Sequence, residues 1–133
     1  MSHRPLEGRR VLLVDDDPDI LGGMDLAFRG AGAETTLAGD GESALAAIEA
    51  SRPDLVVLDM MLPRASGLLV LERLRGSADR PPVVMITANR GQRHQAFARE
   101  LGVEAYLVKP VALARLLEVA VRLTGGGSPP GSP

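Results

Sequence analysis

Acidic residues follow two apolar stretches of this sequence, at the point where each stretch ends. Asp15 and Asp16 follow Val11–Val14, and Asp59 follows Leu55–Leu58. If these stretches are parallel strands, their carboxyl ends meet at one edge of the sheet, where open α/β folds bind ligands. Carboxylates converging at one edge repel each other and are costly to hold together without a cation. The pattern therefore predicts a metal site.

The expected ligands of this site are oxygen atoms only. The sequence contains no cysteine, and its two histidines, His3 and His94, have no partners at ligand spacing. Oxygen ligands indicate a hard cation. Few carboxylates, with room for water and phosphate oxygens, favour Mg²⁺ over Ca²⁺.

A hydroxyl and an ammonium group follow two further apolar stretches. Thr87 comes after Val83–Ile86, and Lys109 comes after Ala105–Val108. Such donors can hold the oxygens of a phosphoryl group, whose transfer depends mainly on positioning and charge neutralisation. Lys109 is the only lysine among the 15 lysine and arginine residues. Because lysine is a compact point charge and arginine a wider planar group, we expect a site that selects the smaller head group.

The elements that must position these residues alternate along the chain. The four apolar stretches have the length of buried strands. A weaker strand is predicted at Glu34–Leu37. The segments between the strands are long enough to hold crossover helices. Five helices are predicted: one with Ile20, Met24, Ala27 and Phe28, one with Ala44, Leu45 and Ile48, one with Leu68, Leu71 and Leu74, one over Gln92–Leu101, and one with a core-facing stripe of Leu113, Leu116, Leu117 and Ala120.

Five strands alternating with five helices predict a doubly wound α/β domain. Asp40 is the expected N-cap of the second helix, and Gly102 the end signal of the fourth. Gly22 and Gly23 weaken the first helix by about 1 kcal/mol each relative to alanine. The length of 133 residues fits one domain, and 45% apolar but only 2% aromatic residues indicate an aliphatic core.

Charge and hydropathy argue against a nucleic-acid-binding, a membrane-spanning or a secreted protein. The net charge of -2 argues against nonspecific nucleic-acid binding, and Arg90, Arg93 and Arg99 are interpreted as a solvated helix face. No apolar run approaches the roughly 18 residues of a spanning helix, and the first ten residues lack the apolar segment of a signal peptide. We therefore expect a cytoplasmic protein.

The chain divides into three parts by composition. Residues 1–9 form an N-terminal extension, residues 10–123 the domain, and residues 124–133 a tail. The stretch Gly125–Pro133 reads GGGSPPGSP and is typical of a flexible terminus or linker.

Four motifs together identify a known family. They are VLLVDDDPD at 11–19, LVVLDMMLPRASG at 55–67, VVMITA at 83–88 and AYLVKP at 105–110. In this order and spacing, the chain resembles a receiver (CheY-like) domain of two-component response regulators over roughly residues 10–123. The resemblance implies a flavodoxin-like (βα)5 fold, with a five-stranded parallel sheet of order 2-1-3-4-5 and helices on both faces.

The resemblance also implies a role for each residue of the metal site. Asp59 matches the phosphoacceptor, because Leu62, Pro63 and Gly67 follow it in the D-x-x-L-P-x-x-x-G pattern. Asp16 matches the direct Mg²⁺ ligand. Asp15 matches a ligand that usually acts through water, and the backbone carbonyl of Met61 would complete the protein ligands.

The remaining matches concern the response to phosphorylation. Thr87 matches the switch hydroxyl, with the small Ala88 after it, and Tyr106 the aromatic switch residue. Lys109 matches the lysine that contacts a phosphoryl oxygen, and the Lys109-Pro110 bond is usually cis in the family.

The implied function is that of a signalling switch rather than a metabolic enzyme. A histidine kinase or a histidine phosphotransfer protein would transfer a phosphoryl group to Asp59, and the domain would catalyse its own phosphorylation and dephosphorylation. The signal would pass to an effector or output domain through the face made by the fourth helix, fifth strand and fifth helix. A second copy is a further expected partner for that face. Neither a membrane nor direct nucleic-acid binding is expected.

Three positions bear on how this chain differs from the family pattern. Val111 stands where phenylalanine is more common. Met61 and Asn89 occupy positions that tune dephosphorylation in the family.

Other interpretations remain to be weighed. The spacing of Asp15, Asp17 and Asp19 resembles the start of a calcium-binding loop. Such a loop requires a glycine where this chain has Ile20 and an acidic ligand where it has Leu26, so that interpretation fails. Asp17 and Asp19 are interpreted instead as charges at a helix N-terminus. A small phosphohydrolase would instead use Asp15-x-Asp17 and form its aspartyl phosphate on Asp15. A pseudo-receiver would keep the fold without phosphorylation.

Overall fold

The computed structural model describes residues 4–77, 79–88 and 91–125, and within them five strands alternate with five helices. His3, Asn89, Arg90 and the tail beyond Gly125 lie outside the described residues. The strands are β1 (Arg10–Val14), β2 (Glu34–Ala38), β3 (Leu55–Asp59), β4 (Val83–Thr87) and β5 (Ala105–Val108). The helices are α1 (Pro18–Gly30), α2 (Gly41–Ser51), α3 (Gly67–Leu74), α4 (Gln92–Glu100) and α5 (Leu113–Thr124).

All strands pair in parallel in one sheet of order β2-β1-β3-β4-β5. The predicted doubly wound fold and its strand order are confirmed. The winding direction reverses between β1 and β3, which makes this end of the sheet the expected ligand edge.

Two apolar layers cover the sheet, because successive side chains of a strand point to opposite faces. Val11 and Leu13 pack on the side of α1 and α5, together with the fully buried Phe28. Leu12 and Val14 pack on the side of α2, α3 and α4. Since both faces are covered, the central strands are apolar except at their ends, where Arg10 begins β1 and Asp59 and Thr87 end β3 and β4.

The helices begin and end where side chains satisfy the backbone. Asp17 caps α1 by accepting hydrogen bonds from the N–H groups of Asp19 and Ile20, and Asp40 caps α2 by accepting one from Ser43. Gly102, with φ of 91°, follows α4. These positions confirm Asp40 as an N-cap, Gly102 as a helix end signal, and Asp17 and Asp19 as charges at a helix N-terminus, where Asp17 is in addition the N-cap.

Two expectations about burial are wrong. The strand Ala105–Val108 is half-buried rather than buried, because β5 lies at the edge of the sheet. In α5, Leu113 is 41% exposed, whereas Leu116 and Ala120 are buried and Leu117 packs against the core. Leu113 is exposed because it begins the helix, where less of the neighbouring structure covers it.

Part of the N-terminal extension packs on the domain. The side chain of Leu6 is fully buried in the core layer below α1, and its N–H donates to the carbonyl of Ala31 at 2.9 Å. In the part of the chain that the structure describes, no helix combines the length and the apolar character needed to cross a bilayer.

Gly22 provides a test of how glycine affects the stability of α1. It is exposed within α1, and a β-carbon added to it would meet nothing within 4 Å. We expect Gly22→Ala to raise the free energy of unfolding by about 0.5–1 kcal/mol, because alanine loses less backbone entropy on folding. Urea denaturation measures the change.

Gly32→Ala is the matched control. Gly32 has φ of 98°, and an added β-carbon would lie 2.9 Å from the Cα of Glu7, so this variant should lose stability. Destabilisation by Gly22→Ala as well would contradict the assignment of Gly22 as an unconstrained helix position.

Candidate functional site

The strand order brings the predicted site residues together. Asp15 and Asp16 directly follow β1, Asp59 ends β3, Thr87 ends β4, and Lys109 directly follows β5. These four strands are neighbours in the sheet, and their carboxyl ends therefore meet at one edge.

Three carboxylates form a cluster at this edge. One carboxylate oxygen from each of Asp15, Asp16 and Asp59 lies within 4.8 Å of the others. Asp15 and Asp59 are buried, while Asp16 is exposed and open to solvent. Oxygen ligands at this separation, with one open side, suit a hard divalent cation that keeps some of its water.

Lys109 places a positive charge between the two buried carboxylates. Its Nζ donates to Asp15 Oδ2 at 2.9 Å and to Asp59 Oδ2 at 3.0 Å. The side chain is 20% exposed, so the pairs lie in a partly desolvated environment, where such attraction is stronger than in water.

The backbone around Lys109 fixes where its side chain starts. Its N–H donates to the carbonyl of Thr87 at 2.8 Å, and the Lys109-Pro110 peptide bond is cis, as the resemblance implied.

The second oxygen of each buried carboxylate is held by the backbone. Asp15 Oδ1 accepts a hydrogen bond from the N–H of Asp17 at 2.9 Å, and Asp59 Oδ1 accepts one from the N–H of Met61 at 3.0 Å. Each acid therefore has one oxygen on a turn and the other on Lys109. The two carboxylates are oriented by this arrangement rather than only by packing.

The electrostatic environment changes the proton affinity of these groups. Burial raises the pKa of Asp59 and the charge of Asp15 adds to the rise, while the Met61 N–H and Lys109 oppose it. Burial alone would lower the pKa of Lys109, but its hydrogen bonds and charge interactions with Asp15 and Asp59 outweigh burial and raise it. Lys109 is therefore protonated at neutral pH, and the Asp59 carboxylate is a stronger base than an exposed aspartate.

The two predicted switch residues differ in position and burial, because Thr87 ends β4 whereas Tyr106 lies near the start of β5. Thr87 is fully buried at the end of β4. Tyr106 is half-buried and packs against the core layer on the side of α2, α3 and α4, and burial raises the pKa of its phenol.

The structure shows which contacts Met61 and Asp17 make. Met61 is 61% exposed, and its backbone N–H donates to Asp59. Asp17 uses its Oδ1 to cap α1. Its carboxylate therefore serves the helix terminus and is not part of the acidic cluster.

Sequence reasoning missed one feature beside the site. The loop between β3 and α3, residues 60–66, contacts the N-terminus of α2, and Asp40 Oδ2 accepts a hydrogen bond from Arg64 at 2.7 Å. The sequence signalled Asp40 as a helix cap, but a cap signal does not show that its other oxygen holds a distant loop.

The chain is similar in sequence to a known family of domains. The family model described as "Response regulator receiver domain" matches residues 11–121. A relative from Mycobacterium tuberculosis, the probable transcriptional regulatory protein TcrX, is 42% identical over 113 residues, which are 85% of this chain and 47% of that protein. The chain spans between about a third and a half of the length of the curated relatives it matches.

Solved structures show the same fold. The CheY-like receiver domain protein from Methanospirillum hungatei is 29% identical with a TM-score of 0.82, covering 90% of this chain and 96% of that chain. The BeF3-activated N-terminal receiver domain of RstA from Klebsiella pneumoniae is 26% identical with a TM-score of 0.81, covering 86% and 97%. With the family model matched over almost the whole domain, the chain belongs to the response regulator receiver domain family, the signalling domains of two-component systems.

Proposed function

We propose that this domain is a phosphorylation-activated switch that accepts a phosphoryl group on Asp59. The observation that carries the proposal is the position of Lys109, whose ammonium group joins Asp59 to Asp15 beside the third carboxylate, Asp16. This arrangement supplies a nucleophile, a cation site and a fixed positive charge at one point.

The proposed reaction transfers a phosphoryl group from a partner's phosphohistidine or from a small acyl phosphate. An oxygen of Asp59 forms a bond to phosphorus while the bond from phosphorus to the donor atom breaks, and the electron pair of that bond leaves with the donor. Asp15, Asp16, Asp59 and the Met61 carbonyl would hold Mg²⁺, which when bound would neutralise charge on the phosphoryl oxygens.

Lys109 and Thr87 would couple this modification to the fold. In the unmodified protein, Lys109 bonds to Asp59 Oδ2, and after transfer we expect its ammonium to contact a phosphoryl oxygen. The hydroxyl of Thr87 would contact another oxygen. The aspartyl phosphate carries a charge of about -1.5 to -2 in place of the single negative charge of the carboxylate. Moving a two-state equilibrium from 1:99 to 99:1 requires about 5.5 kcal/mol of differential stabilisation.

The sequence pattern favours Asp59 over Asp15 as the acceptor, because the D-x-x-L-P-x-x-x-G stretch of the matched family begins at Asp59. In the structure both acids have the same kind of support, with one oxygen on Lys109 and the other on a backbone N–H. A phosphohydrolase of the D-x-D type would also need Asp17, which caps α1. A pseudo-receiver does not need the residues of phosphoryl transfer, whereas this chain has the complete set of acidic, hydroxyl and basic groups. Their presence favours a phosphorylated receiver.

The partners follow from this chemistry. We propose a histidine kinase or phosphotransfer protein as donor, and an effector or output domain as the receiver of the signal. The α4–β5–α5 face is the proposed output surface, because β5 is a half-exposed edge strand. Tyr106 and Leu107 of β5 and Arg115 and Arg122 of α5 line one part of it.

The first prediction concerns the modification itself. Incubation with acetyl phosphate and Mg²⁺ should add one phosphoryl group, because the domain holds the required nucleophile and charges. Intact-mass spectrometry should show this adduct in the wild type, and neither in Asp59→Asn nor after chelation of Mg²⁺. An adduct that persists in Asp59→Asn but disappears in Asp15→Asn would instead support the phosphohydrolase type.

The second prediction concerns the balance of charge. Lys109→Ala removes the cation between Asp15 and Asp59, and we expect a loss of about 2 kcal/mol in the free energy of unfolding without metal. Mg²⁺ should stabilise this variant, because a bound cation relieves the same repulsion. Denaturant titrations with chelator and with saturating Mg²⁺ measure both effects.

Arg115→Ala is the control for loss of a cation. Arg115 pairs with Glu118 in solvent, so its removal should change stability little. If Asp15→Asn did not restore stability in the Lys109→Ala background, repulsion between the carboxylates would not be the cause.

The third prediction concerns the output surface. With Mg²⁺ and beryllofluoride, the mass measured by light scattering should rise toward that of a dimer if a second copy binds the α4–β5–α5 face. Arg122→Glu should prevent the rise, whereas Arg73→Glu on α3 should not. An unchanged mass in wild-type protein that has bound beryllofluoride would exclude the dimer.

A further inference from the structure

The β3–α3 loop, residues 60–66, is attached to the N-terminus of α2. The first N–H groups of a helix have no partner within the helix. Here Gly41 donates to the carbonyl of Pro63 at 3.2 Å, and Glu42 donates to the carbonyl of Arg64 at 3.0 Å. The loop therefore satisfies the start of a helix that lies far from it in sequence.

The loop needs such support because its backbone is strained. Arg64 and Ala65 have φ angles of 46° and 78°, in a region that residues other than glycine rarely adopt. Two such residues in succession persist only where the surrounding structure determines their conformation. The hydrogen bonds from Gly41 and Glu42 to the carbonyls of Pro63 and Arg64 act on the same turn.

Gly41 allows this close approach. A β-carbon at Gly41 would lie 2.6 Å from the carbonyl carbon of Ala65 and 2.7 Å from its Cβ. Gly41 is buried and its φ is negative, so the requirement is one of space rather than of backbone angle. Any side chain here must displace the loop.

Asp40 strengthens the same attachment from its side chain. Its Oδ1 caps α2 at the N–H of Ser43, and its Oδ2 pairs with Arg64 at 2.7 Å. The Ser43 N–H and Arg64 lower the pKa of Asp40, so the carboxylate is ionised at neutral pH. Arg64 is 69% exposed, so this ion pair contributes less than the backbone contacts.

The other end of the loop is held equally tightly against the site. The N–H of Gly67 donates to the carbonyl of Met60 at 2.9 Å, and a β-carbon on Gly67 would lie 2.7 Å from the Cα of Met60. Between these two anchors lies Met61, whose N–H holds Asp59 Oδ1. We therefore expect a displacement of the loop at Ala65 to shift Met61, and with it the N–H that holds Asp59.

We propose that the N-terminus of α2, through Gly41 and Asp40, positions the β3–α3 loop and thereby sets the Mg²⁺ affinity of the site. This inference rests on the proposed function, in which the Met61 carbonyl is a metal ligand. Gly41 and Asp40 touch neither metal nor phosphoryl group, and they act through the loop as positioning residues.

The test compares Gly41→Ala with Gly39→Ala. An added β-carbon at Gly39 meets nothing within 4 Å, so the control makes the same chemical change two residues away without steric effect. We expect Gly41→Ala to raise the Mg²⁺ midpoint for modification by acetyl phosphate by about tenfold, as is typical when the support of a metal ligand is lost. Excess Mg²⁺ should recover most of the rate.

A merely structural role would give a different result. It would lower the unfolding temperature of Gly41→Ala while the Mg²⁺ midpoint of the folded protein stayed at the wild-type value, and this outcome would overturn the proposal. A midpoint raised equally in Gly39→Ala would overturn it as well.

Milder variants cover the case in which Gly41→Ala does not fold. Asp40→Asn keeps a side chain that can cap Ser43 but loses the charge pair with Arg64, and Arg64→Gln loses the pair from the other side. Each should raise the midpoint about two- to threefold, as expected for an exposed pair, and Arg64→Lys should recover part of the loss. Wild-type midpoints in both Asp40→Asn and Arg64→Gln would count against the side-chain part of the proposal.

Hydrogen exchange separates this inference from the proposed function. The amides of Met61 and Gly67 should exchange about tenfold faster in Gly41→Ala than in Gly39→Ala, because a displaced loop opens more often. This readout requires neither metal nor phosphoryl donor. If wild-type protein were not phosphorylated, the proposed function would fail, while unchanged exchange at Met61 and Gly67 would overturn the positioning role itself.

Discussion

The structure of this domain depends on the repulsion between carboxylates at one edge of its sheet. Asp15 and Asp59 are buried, and Asp16 lies close to both, so their negative charges are only partly screened by water. Lys109 offsets this repulsion in the unmodified protein. In the proposed function, a divalent cation and a phosphoryl group would share these acids with Lys109, and the change of contacts would couple modification to a change of structure.

The sheet supplies the geometry for this balance. The central strands are apolar except at their ends because helices cover both faces, and polar side chains can appear only there. The reversal of winding between β1 and β3 leaves the strand ends uncovered at that edge. Burial of the core and exposure of the site are therefore two consequences of one topology.

The loop after Asp59 shows how local strain is supported by tertiary contacts. Arg64 and Ala65 adopt left-handed backbone angles without being glycine. The N-terminus of α2 can pack against this turn because Gly41 has no side chain. The first N–H groups of α2, which have no partner within the helix, donate to the carbonyls of the loop. The stability of the loop and the start of α2 are thus coupled.

The sequence by itself determined the alternation of strands and helices, the caps at Asp17 and Asp40, and the acidic, hydroxyl and basic residues of the candidate site. These follow from local rules, since periodicity, capping and strand ends depend on residues near each other in the chain. Only the tertiary structure decided that Lys109 bonds to both Asp15 and Asp59, that β5 is half-exposed, and that Asp40 and Gly41 hold the loop at residues 60–66. These features depend on distances between residues that are remote in sequence. Such distances are set by the packing of the whole domain and not by local conformational preference, so the sequence pattern could not predict them.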